Sequence, residues 1–88
     1  MGQVAMTFKL MPTEVDVDFN KMRENIKQKL PATAKINRFT EIPIAFGLKA
    51  LQVEIILDDR KGGGDDIERI LGEIEDVNSV DLETMGLL

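Results

Sequence analysis

The sequence predicts an α+β sandwich, a four-stranded antiparallel sheet with two helices on one face, and three observations lead there. Apolar and polar residues alternate near the start and again in the middle of the chain, the period of a half-buried strand. Two other segments repeat apolar residues every three or four positions, as a helix with one buried stripe does. These patterns occur in the order strand, helix, strand, strand, helix, strand, which is the ferredoxin-like β-α-β-β-α-β arrangement. With 88 residues there is room for one core, so residues 1–88 are read as a single domain.

The first strand spans Val4 to Leu10, with Val4, Met6, Phe8 and Leu10 on one face and Ala5, Thr7 and Lys9 on the other. Met11-Pro12-Thr13 ends it, because proline lacks the donor a ladder needs. After a polar, acidic stretch, Asp18 is a helix N-cap, and Phe19, Met22, Ile26 and Leu30 follow at helical spacing. Pro31 stops that helix at Leu30. Ala34 to Thr40 reads as a weaker second strand at a sheet edge, irregular because Ile36 and Phe39 are out of phase. The third strand is the strongest: Leu51, Val53, Ile55 and Leu57 mark its core side, in line with Lys49, and Ala50, Gln52, Glu54 and Ile56 face the other way. Residues 58–64 form a loop, Asp65 or Asp66 caps a second helix, and Ile67, Ile70, Leu71 and Ile74 give that helix its stripe. A last strand runs from about Asn78 to Thr84. One stripe per helix covers one face of the sheet and leaves the other to solvent or a partner.

Between the second and third strands lies a stretch that periodicity does not explain, Glu41-Ile42-Pro43-Ile44-Ala45-Phe46-Gly47-Leu48-Lys49. Pro43 and Gly47 interrupt it, which puts Phe46 at a bend. Two readings of the ring are open, a plug in the core or an anchor for a partner, and general burial statistics favour the plug.

Composition excludes much chemistry. The chain has no Cys and no His, so it has no disulfide, no thiolate nucleophile, and neither the commonest metal ligand nor the commonest general base. Ser79 is the one serine and has no histidine to activate it, so no catalytic residue is assigned and the chain is not read as an enzyme. The glycines at 62–64 are followed by Asp65 and Asp66 rather than by the Lys-Ser or Lys-Thr of a phosphate loop, and they read as a connector. Asp58, Asp59, Asp65 and Asp66 do not match calcium-loop spacing, and no metal or cofactor is assigned. No apolar run approaches the roughly 20 residues of a membrane span and no signal peptide opens the chain, so a cytoplasmic location is expected.

Net charge is −5, but residues 1–49 balance to +3 and residues 50–88 to −8. An acidic total argues against direct nucleic-acid binding, and the third strand lacks the aromatic residues of RNA-recognition sheets. A small-molecule-binding regulatory module of the same topology stays open on the residues alone.

The run Ile42-Pro43-Ile44-Ala45-Phe46-Gly47-Leu48-Lys49-Ala50-Leu51-Gln52 closely resembles the signature of the beta subunits of translation elongation factor 1, in their short archaeal form. The likeness extends to Phe8-Lys9-Leu10-Met11-Pro12, to Leu57-Asp58-Asp59-Arg60, to Val77-Asn78-Ser79-Val80-Asp81-Leu82, and to overall length. What the resemblance implies is a guanine-nucleotide exchange factor for the GTPase elongation factor 1-alpha, which ejects GDP by disturbing the GTPase's Mg2+ and phosphate site. It implies that Phe46 contacts the partner, with Pro43 and Gly47 setting its direction and Lys49 as the nearest cation. It also implies a basic residue one place before the end, where this chain has Leu87, followed by Leu88. Three readings of that end are open: another cation such as Lys49 substitutes, Leu87 acts sterically, or the tail is a frayed terminus.

Overall fold

A computed structural model describes residues 2–31, 34–58 and 64–87. β1 (Gln3–Pro12) buries Met6, Phe8 and Leu10 and leaves the intervening residues half-exposed, as the alternation predicts. α1 (Phe19–Lys29) starts where Asp18 accepts hydrogen bonds from the backbone N–H groups of Asn20 and Lys21 at 3.0 and 3.2 Å. It stops at Leu30, whose extended backbone is what a following proline enforces. Met22 and Ile26 are its buried residues.

β2 (Ala34–Ala45) is longer than the predicted 34–40 strand and continues through Pro43 to the turn. It can do so because it is an edge strand, where a missing N–H leaves no ladder bond unmade. Its pairing slips between Ile36 and Arg38 and again between Pro43 and Ala45, so the expected irregularity is present. β3 (Leu48–Asp58) buries Leu51, Val53, Ile55 and Leu57. α2 (Gly64–Gly72) begins at Gly64, which puts Asp65 and Asp66 in its first turn rather than at its cap. It ends before Ile74, which is buried from the turn that follows. β4 (Val77–Leu87) outruns the predicted 78–84 strand, since the ladder with β1 holds as far as Val4 opposite Leu87.

The sheet order is β2-β3-β1-β4, antiparallel throughout. One core gathers the like-facing residues of β1 and β3 with Met22 and Ile26 of α1 and Ile67 and Leu71 of α2, so both helices lie on one face. Burying each such side chain contributes about 1.5–3 kcal/mol. The other face mixes apolar residues, the fully buried Ala50 among them, with polar contacts: Gln52 donates to Glu83 at 2.7 Å, and Glu54 takes both Asn37 and, at 3.8 Å, Arg38. This order also places the two halves of the charge imbalance at opposite edges. Lys21, Lys27, Lys29, Lys35 and Arg38 lie on α1 and β2; Asp66, Glu68, Asp81 and Glu83 lie on α2 and β4.

No helix of the described residues is long and apolar enough to cross a membrane.

Candidate functional site

β2 and β3 are joined by two residues, Phe46 and Gly47, between the paired Ala45 and Leu48. Both have positive φ, 51° and 81°, as the tight hairpin turn that follows sheet twist requires. Glycine meets this without steric penalty. Phenylalanine does not: its Cβ crowds the backbone there, at about 1–2 kcal/mol. Asn-Gly is the easy sequence for such a turn, and the ring that stands in for Asn recovers nothing by packing, because Phe46 is fully exposed at 103%. A strained bulky residue without burial is the kind of outlier that marks a working position. The core-plug reading of Phe46 is therefore wrong. The turn leaves the ring uncovered, and no element of the described residues passes over it.

The tip is built as follows. Pro43, on the edge strand, faces Lys49 across the ladder, and the register slip just beyond it bends the strand toward the turn. Ile44, at the slip, is 44% exposed. Residues 43–49 enclose a shallow pocket of about 160 Å³, smaller than the roughly 300–1,000 Å³ of typical small-ligand sites. Lys49 lies 3.8 Å from Glu41, whose other carboxylate oxygen meets Arg23 of α1 at 2.5 Å. Glu41 thus faces two cations, the half-exposed Lys49 and the more covered Arg23, at a surface where such contacts are worth little individually. Their effect is to tie α1 to the base of the hairpin.

Of the residues the sequence singles out, Pro43, Phe46, Gly47 and Lys49 meet at this tip. Leu87 does not. It lies opposite Val4, which is paired with Leu57, nine residues along β3 from Leu48. That is roughly 30 Å along the strands, and three strand spacings, about 14 Å, separate the two edges. Leu87 is held in the β1–β4 ladder, so the frayed-tail reading fails up to that residue; Leu88 lies outside the described residues. The glycines at 62 and 63 and Asp59 also lie outside them, as do the side chains of Asp58 and Asp65. Among the described residues there is no cluster of three or more His, Cys, Asp or Glu placed to hold a metal ion.

Sequence reasoning missed two contributors. Ile44 lies within the quoted motif but was not distinguished from its neighbours. Val15, on the β1–α1 loop, sits beside the tip: a Cβ added to Gly47 would be 3.8 Å from its Cγ1. The available signal was an apolar residue inside Glu14-Val15-Asp16 that belongs to neither a strand nor a helix period.

Fold and site together define a small α+β domain, a packed two-layer body that projects one apolar ring on a short, strained turn. The model of the EF-1 guanine nucleotide exchange domain matches residues 5–88. Proteins named Elongation factor 1-beta are similar over the whole of both chains: that of Archaeoglobus fulgidus is 42% identical over 88 residues, that of Haloarcula marismortui 39% and that of Thermoplasma volcanium 38%. The chain belongs to the EF-1 guanine nucleotide exchange domain family of translation elongation factors.

Proposed function

We propose that residues 1–88 act as one exchange domain that binds the GTPase elongation factor 1-alpha and speeds its release of GDP by disturbing the Mg2+ and phosphate site. The observation that carries this reading is Phe46, a fully exposed ring held in a left-handed conformation at a two-residue turn. The family membership names the kind of partner. No covalent bond need change, so the lack of His and Cys is no obstacle.

The turn fixes the backbone that carries the ring, which removes part of the ordering cost of binding. An exposed aromatic at such a position suits a hot spot. Pro43 and Gly47 set its direction, and Lys49, half-exposed and only loosely drawn to Glu41, keeps donors for the partner. Leu87 provides an apolar contact at the far end and no cation. Linkage then fixes the reciprocal effect: a protein that lowers nucleotide affinity is itself bound more weakly when nucleotide is present, by the same factor. Such a protein accelerates exchange without selecting GTP over GDP.

The test is release of a fluorescent GDP from elongation factor 1-alpha with and without the chain. Phe46→Ala is expected to keep the fold and to lose about 2 kcal/mol or more of the acceleration, roughly thirtyfold in rate. Unfolding of this variant, or wild-type acceleration by it, would remove Phe46 from the interface. A ligand-binding regulatory module would instead show a small-molecule thermal shift and no effect on the GTPase.

A further inference from the structure

Among the described residues, six large apolar side chains are exposed: Leu82, Met85 and Leu87 on β4, and Val15, Ile44 and Phe46 at the hairpin end. Ile44 and Phe46 follow from the hairpin itself. Val15 belongs to another element, is 61% exposed, and has no role in the core.

Its loop is nevertheless held on both sides. The Thr13 N–H donates to the Asp76 carbonyl at 2.9 Å, Val17 packs against the core, and Asp18 caps α1. Val15 is thus fixed between two anchors while burying little of itself, beside Gly47 and next in space to the Phe46 turn. A polar residue would be better solvated there. The residues on either side, Glu14 and Asp16, are exposed acids, and Lys49, a cation of the hairpin, is drawn toward Glu41. The apolar patch therefore has an acidic rim on its loop side, and charge complementarity asks for a basic rim on whatever covers it.

Resting on the exchange reading, we propose that Val15 completes the docking patch with Ile44 and Phe46. Glu14 and Asp16 select a basic-rimmed apolar surface on the same GTPase. The site is composite: a hairpin supplies the projecting ring, and the β1–α1 loop supplies its apolar support and the charge that orients the encounter.

The experiment measures fluorescent GDP release from elongation factor 1-alpha with the full chain and three variants, at about 50 mM and about 300 mM salt, where screening lengths differ. Val15→Ser is expected to slow release about three- to tenfold with an unchanged melting temperature. Glu14→Lys with Asp16→Lys should slow release at low salt, and the deficit should shrink at high salt. If Val15→Ser matches wild type while Phe46→Ala is slow, the composite patch is overturned and the hairpin reading stands. If Phe46→Ala also matches wild type, Phe46 leaves the interface and the composite patch is overturned with it; if the unaltered chain does not speed release at all, the exchange reading fails. A charge pair whose replacement changes nothing at either salt would overturn the acidic rim. Loss of the fold in Val15→Ser would make Val15 a packing residue and overturn its proposed role.

Discussion

The two ends of the sheet both expose apolar side chains, and they do so at different conformational cost. At the far end, Leu87 is 75% exposed, but its backbone is in ordinary ladder pairing with Val4. At the hairpin end, Phe46 is more exposed still and occupies a φ of 51° that bulky residues avoid. Exposed apolar residues are common on any protein surface, so exposure alone separates neither end from the background. Strain does separate them. A ring kept in a disfavoured conformation with no packing in return is the observation on which the proposed docking role rests.

The largest effect expected from a substitution lies between the two ends and sets the scale for both. Phe8 is wholly buried in β1, flanked by Val53 and Leu82 on the neighbouring strands, and Phe8→Ala is expected to destabilise the fold by about 3–5 kcal/mol in denaturant titrations. A much smaller loss would mean that the centre of the sheet collapses around the gap, and the contrast between a committed core and a free tip would weaken. Phe46→Ala comes next, with the loss of acceleration given above and no loss of stability.

Phe46→Asn sharpens the comparison further. Asn tolerates positive φ, so this variant should gain about 1 kcal/mol of stability, seen as a higher urea midpoint, while exchanging as poorly as the alanine variant. No gain in stability would show that the turn holds no strain, and the argument from conformation would lapse. Leu87→Lys is the smallest: stability should move by no more than about 0.5 kcal/mol, with exchange kept or raised. A large loss of exchange would show that the apolar end does part of the work, making the two ends equals.

Much of the fold was legible because it is local. The parity of Met6, Phe8 and Leu10 and of Leu51, Val53, Ile55 and Leu57 sets the core face of each central strand wherever the strands pair. Asp18 and Pro31 mark α1 through backbone chemistry within a few residues. Strand ends were less legible. β2 runs through Pro43 and β4 runs to Leu87 because neighbouring strands continue beside them, and edge position excuses the proline; neither fact is visible in the segment itself. The hairpin motif pointed to four of the site residues, whereas Val15 is thirty-two residues from Gly47 in sequence and reaches it only through the topology.

By itself the sequence determined the order of the elements, the core face of the two central strands and of both helices, the bend at Phe46-Gly47 and, through resemblance, the family. The direction of the Phe46 ring was decided only in three dimensions, because a residue at a bend turns inward or outward according to which elements pass over it, and here neither helix does. The distance between Phe46 and Leu87 was decided there too, since pairing of β1 with both β3 and β4 sends the hairpin and the chain end to opposite corners of one sheet.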